Sequence, residues 1–235
     1  MSAYAPVKSV DEFRQQPDEY QTAVRKIVRS HALNELYGAQ VFDEPAIRLA
    51  PTPYAKWLTC RVAMEEYHHH VRFKELADQI GVRPEALDTK NKRPLNIFEF
   101  PLQTWEEFCV IKMLGDLAEI LQVEDLLHCS FVPLRNIART TMPEEKFHAQ
   151  FGADFCVDLV EAPESRARVQ DAINRFYPEA PKFFGASGSK NNQLYRQYGI
   201  KLRKNEEMRA DYIARAKDIV GKLELELPEE SRSAA

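Results

Sequence analysis

The chain has 235 residues, enough for one large domain or two small ones with a real core. Apolar residues make up 44% and charged residues 29%, which describes a soluble globular protein and excludes a disordered one. The formal charge of −4 gives no bulk attraction for nucleic acid or an anionic membrane. No apolar run approaches the ~20 residues of a membrane span. Met1–Lys8 lacks the basic-then-apolar pattern of a secretory signal. Cys60, Cys109, Cys129 and Cys156 are far apart, without a CxxC, and read as reduced core thiols on apolar helical segments. A cytoplasmic protein is the expectation.

Apolar positions recur mostly at three and four residues, so the chain is expected to be all-α. A first long helix is predicted over residues 18–43, with Ala23, Ile27, Ala32, Leu33, Leu36 and Tyr37 inward. Ala50-Pro51-Thr52-Pro53 breaks it; Thr52 suits an N-cap and Pro53 the first helical position. A second helix then runs to about Ile80, stopped by Gly81. Residues 82–103 read as a crossover, with a short helix at 83–87 and an extended stretch at 96–100 between Pro94 and Pro101. Thr104 and Glu107 form a capping-box pattern opening a third helix to about Ser130. Pro133 starts a fourth helix to about Val160, which Pro143 should bend or bulge. Further helices are expected at about 164–176, 190–201 and 205–222, around a linker-like stretch at 185–189 and before eight frayed terminal residues. One domain is expected, its four-helix core over about 18–160 and its C-terminal helices over about 164–222.

Two ExxH patterns carry the chemistry: Glu66 with His69 in the second helix, and Glu145 with His148 in the fourth. Spacing of three puts carboxylate and imidazole on one helix face. A two-metal carboxylate bundle needs one more carboxylate from each remaining helix, at the same height. In an antiparallel hairpin, residues equidistant from the turn are level. Glu35 and Glu66 are equidistant from the Ala50–Pro51 junction, and Asp116 and Glu145 from the Ser130–Phe131 junction. Each lies about 14 residues, roughly 21 Å, from its turn. The crossover is long enough to lay the third helix parallel to the second, which is the ferritin-like arrangement. The expected site is therefore Glu35, Glu66, His69, Asp116, Glu145 and His148, holding two Fe or Mn ions. Glu66 and Glu145 are the bridging candidates; Glu35 and Asp116 are terminal. Glu65 with His68 forms a second ExxH one residue out of phase, and Glu119 is the alternative on the third helix. His68 and His70 are rotated off the site, and Glu144 is expected to face away. His31 is either a hydrogen-bond support for a ligand or a core histidine, and His128 has no assigned role.

These residues, with His31-Ala32-Leu33-Asn34-Glu35-Leu36-Tyr37-Gly38, Ile97-Phe98-Glu99-Phe100-Pro101, Glu144-Glu145-Lys146-Phe147-His148 and Asp171-Ala172-Ile173-Asn174-Arg175-Phe176, resemble the phenylacetyl-CoA 1,2-epoxidase catalytic A-type subunits over about residues 18–225. The resemblance carries that family's ligands onto Glu35, Glu66, His69, Asp116, Glu145 and His148. It implies a di-iron monooxygenase reduced by NADPH through a separate reductase. One atom of O2 enters the ring of an aryl-CoA thioester, giving an epoxide, and the other leaves as water. It also implies structural oxygenase subunits and an oligomer. Phe42, Phe108, Met113 and Phe151 are apolar candidates for a ring pocket or for plain core. Arg175, Lys190 and Arg203 are candidates for CoA phosphates or for solvated surface. Three departures accompany the resemblance. Val62 stands where the family has Lys, Pro143 interrupts the fourth helix, and the family's C-terminal extension beyond about residue 230 is not present.

Overall fold

The computed structural model describes residues 4–91 and 96–228, excluding the side chains of Asn91 and Asn96. The expectations for Pro94 and for the last seven residues lie outside these limits. The fold is an all-α, ferritin-like four-helix bundle with additional C-terminal helices. Among the described residues no strand forms; Val7 and Phe131 make an isolated bridge. A short helix α1, Val10–Arg14, precedes the bundle and was not expected. Its single inward side chain, Phe13, is too brief a signal to show periodicity.

The first bundle helix is α2, Asp18–Gly38, which passes through a π-helical turn at Ala39–Asp43 into α3, Glu44–Leu49. The second is α4, Pro53–Gln79. The Thr52 hydroxyl accepts from the Ala55 amide at its start, and Gly81 takes φ +78° just past its end. The crossover holds 3-10 turns, including Pro84–Leu87 and Asn96–Glu99. The second of these corrects the extended stretch expected at 96–100. Proline at 101 keeps the backbone from continuing as α-helix, but one tight turn still fits before it.

The third helix comprises α5, Trp105–Val110, a π-helical turn Ile111–Gly115, and α6, Asp116–Leu126. The Thr104–Glu107 capping box forms in both directions. The helix stops four residues earlier than expected, and Cys129 lies buried in the turn after it. The fourth helix, α7, spans Val132–Leu159 without a bulge at Pro143. Pro143 and Arg139, whose carbonyl loses its i+4 donor, are both exposed, so water can take the vacant bond.

Two apolar clusters fix the helix directions. One joins Ala55, Leu58 and Val62 of the first half of α4 to Phe108 and Ile111 of the third helix and to Phe151 and Cys156 near the end of α7. The other joins Val24 and Ile27 of α2 to Leu76 and Ala77 at the end of α4, to Val123 and Leu126, and to Leu134 and Ala138 at the start of α7. Hence α4 and the third helix run parallel, and α2 and α7 run against them. The middle of the bundle, between the clusters, is where the polar residues meet. The C-terminal α8 (Pro163–Phe176) and α10 (Asn205–Lys222) add Val169, Ile173, Phe176, Met208, Tyr212 and Val220 to the first cluster. The shorter α9, Lys190–Gln197, packs Leu194 and Tyr195 on the second.

Gly152 lets α7 press against the π-helical turn of the third helix. A β-carbon there would collide with the Met113 amide nitrogen and stand 2.5 Å from the Cys109 carbonyl oxygen. Both obstacles are backbone and cannot rotate away. Gly152→Ala is therefore expected to cost about 1–3 kcal/mol, lowering Tm by roughly 3–10 °C for a chain of this size. Thermal unfolding checks this; an unchanged Tm would show that the two helices are not locked there.

Candidate metal centre

Four helices converge donor atoms on one point. Glu35 comes from α2, Glu66 and His69 from α4, Asp116 from the first position of α6, and Glu145 and His148 from α7. The donors form two overlapping sets, each with all atoms within 4.8 Å of one another: Glu35, Glu66, His69 and Glu145; and Glu66, Asp116, Glu145 and His148. The structure thus brings together all six residues named from the sequence. Glu66 and Glu145 belong to both sets. Glu66 turns one oxygen to each half: Oε2 is 3.4 Å from His69 Nδ1, and Oε1 is 3.1 Å from His148 Nδ1.

The imidazoles are oriented crosswise. His69 of α4 donates from Nε2 to Glu144 of α7 at 2.9 Å, and His148 of α7 donates from Nε2 to Glu65 of α4 at 2.8 Å. A carboxylate only accepts, so the Nε2 proton of each ring is held outward, and the neutral ring would present its Nδ1 lone pair to the cluster. This is the support that fixes a metal-binding imidazole. Glu144 therefore does not face away. It stays off the carboxylate cluster, but binds His69 and the Arg72 guanidinium, 2.6 Å away. The competing ExxH is resolved by burial: His68 is exposed, while Glu65 serves as the outer partner of His148.

Lys112 is the residue that periodicity did not reveal. It sits in the π-helical turn, 3% exposed, with Nζ at 2.7 Å from Glu66 Oε1, 3.0 Å from Asp43 Oδ1 and 3.0 Å from Asp116 Oδ2. Its spacing of four before Asp116 was the available signal. Val62, where the resemblance expects lysine, is fully buried in the apolar cluster.

The charges do not balance among the protein groups. Burial pushes the Glu35, Asp116 and Glu145 carboxyls above their usual range, with neighbouring carboxylates adding to it. Burial raises Asp43 to about 6 against the pull of Lys112. At Glu66 burial is outweighed by Lys112 and His148, which hold its pKa well below the ordinary value. Burial disfavours charge on the imidazoles too, yet the carboxylates prevail, pushing His148 up to about 10 and His69 further. Glu35 Oε1, His69 Nδ1, Glu145 Oε1 and His148 Nδ1 are buried without a hydrogen-bond partner, and Asp116 Oδ2 has only the ion pair with Lys112. Oxygen and nitrogen atoms from five different residues, converging on one point, fit divalent cations once the protons are displaced.

A family profile described as "Phenylacetic acid catabolic protein" matches residues 1–234. The chain belongs to this family. It is also 28% identical over 204 residues to the A component of the 1,2-phenylacetyl-CoA epoxidase of Escherichia coli (strain K12). That match covers 84% of this family member and 66% of the relative, just under two thirds of the relative's length.

The remaining residues of this family member sort by contact. The ring of His31 stacks on Phe73, with Nδ1 3.1 Å from Glu119 Oε1 and 4.0 Å from Glu35 Oε1. Glu119 thus forms a third donor set with His31 and Glu35, meeting the six only through Glu35. His70 donates from Nδ1 to the Ala32 carbonyl. A cavity of about 60 Å³ adjoins the cluster, walled by Asn34, Phe42, Ile97, Phe98, Ile111 and Phe183. Phe42 lines it, whereas Phe108, Met113 and Phe151 are core. Arg175 pairs with Glu107, and Arg203 with the Leu121 carbonyl and Asp211, while Lys190 is exposed. Cys60 is exposed rather than core. Among the described residues no helix is long and apolar enough to cross a membrane.

A raised carboxyl pKa has a stability consequence. Glu145 holds its proton more tightly folded than unfolded, so its contribution is fully present below the unfolded value of ~4.3 and is lost as pH rises through the folded value. Glu145→Gln should therefore raise the Tm of metal-free protein at pH 8, by about 2–6 °C, and by less at pH 5. Thermal scans at the two pH values check it; a lower Tm at pH 8 would mean that the carboxylate is fully compensated within the protein alone.

Proposed function

We propose that this chain is the catalytic component of a di-iron monooxygenase that inserts one atom of O2 into the ring of an aryl-CoA thioester. The observation carrying this is the pair of overlapping donor sets with Glu66 and Glu145 common to both. Glu35, Glu66, His69 and Glu145 would hold one ion, and Glu66, Asp116, Glu145 and His148 the other. Fe suits this mixed carboxylate–imidazole set, with Mn the alternative. When bound, two irons supply the redox chemistry that activates O2, with electrons from NADPH through a separate reductase.

The protein's own part is positional. Glu65 and Glu144 hold the imidazoles in the tautomer that leaves Nδ1 inward. The apolar clusters above and below keep water from the centre. Phe42, Ile97, Phe98 and Phe183 make the cavity an apolar place for a ring. At about 60 Å³ it is smaller than a benzene-binding cavity of ~150 Å³. Phe98 and Phe183 stand on the crossover and the 3-10 segment Tyr177–Phe184, not on the bundle helices, and are the walls that would move to admit it. The same reading takes the chain as one ferritin-like domain working in the cytoplasm with a reductase, structural oxygenase subunits and an oligomeric assembly. The resemblance to the epoxidase component of Escherichia coli (strain K12) supports it.

Anaerobic titration with Fe(II) should load two irons per chain, and far fewer in a Glu66→Ala/Glu145→Ala variant. With a reductase, NADPH and phenylacetyl-CoA, the loaded protein should consume O2 and NADPH only when the thioester is present. Two bound irons without thioester-dependent consumption would favour a metal oxidase of another substrate. Failure to bind iron would favour a non-catalytic, structural role in an oxygenase.

A further inference from the structure

We propose that the Lys112 ammonium is a resident occupant of one half of the centre: it holds the Glu66 and Asp116 oxygens that the ion beside His148 requires, and withdraws to Asp43 when that ion binds. The inference rests on the two-metal reading above and adds an order of loading to it.

The contacts are one-sided. Lys112 Nζ meets Glu66 at Oε1 and Asp116 at Oδ2. These two oxygens lie on the inward side of His148, at 3.1 and 4.0 Å from its Nδ1. The half containing Glu35 and His69 uses the other Glu66 oxygen, Oε2, and receives no contact from Lys112 among its ion pairs. A carboxylate oxygen sits ~2.0–2.2 Å from a bound transition metal. An ammonium 2.7 and 3.0 Å from two of the same oxygens stands in the space the ion would fill.

The ammonium cannot retreat to water, because Lys112 is 3% exposed and inside the bundle. It does not need to. Asp43, 1% exposed, lies 3.0 Å away and outside both donor sets. The charges then close. Glu35, Glu66, Asp116 and Glu145 carry four negative charges against two divalent ions, and Asp43 balances Lys112. Both residues stand on π-helical turns, Asp43 at Ala39–Asp43 and Lys112 at Ile111–Gly115. Such turns shift a side chain's direction relative to regular α-helix and are frequent at functional sites. Gly152 of α7 seats the second turn, where a β-carbon would stand 2.8 Å from the Lys112 Cβ.

The test is a titration of the full chain with Co(II), followed by its visible absorption and by calorimetry at one fixed pH. Wild type should bind a first ion tightly and a second at least ~10-fold more weakly. His69→Ala should abolish the first step and His148→Ala the second. In a Lys112→Met/Asp43→Asn variant, which removes the neutral pair together, the second ion should bind at least ~10-fold more tightly while the first changes little. An unchanged second step in that variant would overturn the proposal. A crystal of wild type with one equivalent of Mn(II), needing no variant to fold, should place the anomalous signal beside His69; a signal beside His148 would equally overturn it. Binding of neither ion by wild type would instead sink the two-metal reading itself.

Discussion

Removing carboxylates from water is costly, and the bundle buries Glu35, Asp43, Glu66, Asp116 and Glu145 at its centre beside one ammonium. An unpaired buried ion costs several kcal/mol even after relaxation. No arrangement of this chain's own groups supplies the missing positive charge except protons. Much of the structure can be understood as what keeps such a centre in place. Two apolar clusters, one at each end of the bundle, hold the helices that carry it. Four helices each contribute a rigid piece, so the carboxylates cannot relieve their repulsion by moving apart. The stability given up in the middle is recovered at the ends, as expected where a site is built for a cation.

The crosswise imidazole supports follow from the same constraint. Each histidine is oriented by a glutamate from the opposite helix: His69 by Glu144, His148 by Glu65. The pair α4 and α7 is thereby stitched on the outside of the cluster as well as through it. Arg72 and Arg61 then satisfy Glu144 and Glu65 at the surface. Charge thus alternates outward, from buried carboxylates through imidazoles and their glutamates to the half-buried Arg72 and exposed Arg61 guanidiniums.

Helix directions and the positions of the six donors were legible in the sequence because they depend on period and distance alone. Glu66 with His69 and Glu145 with His148 share a face by helical geometry, and the equal spacing of each hairpin about its turn sets the heights. Thr52, Thr104 and Gly81 marked their helix ends through local chemistry. What escaped was what regular periodicity hides. The π-helical turns at Ala39–Asp43 and Ile111–Gly115 each insert a residue, so Asp43 and Lys112 face inward where a continuous 3.6-residue period would misplace them. The contact of Glu144 with His69 was missed because a side chain one residue beside Glu145 is rotated by ~100°, yet is long enough to reach a neighbouring helix. At Pro143 the local rule was sound, but its consequence depends on solvent exposure, which only the packing decides.

The central claim is that the six donors hold two ions side by side with Glu66 and Glu145 between them. X-ray absorption of the iron-loaded chain tests this most directly. The account predicts a light-atom shell of oxygen with about one imidazole per iron, and an iron neighbour at about 3.5–4 Å. A sulfur shell, or irons without an iron neighbour, would contradict it.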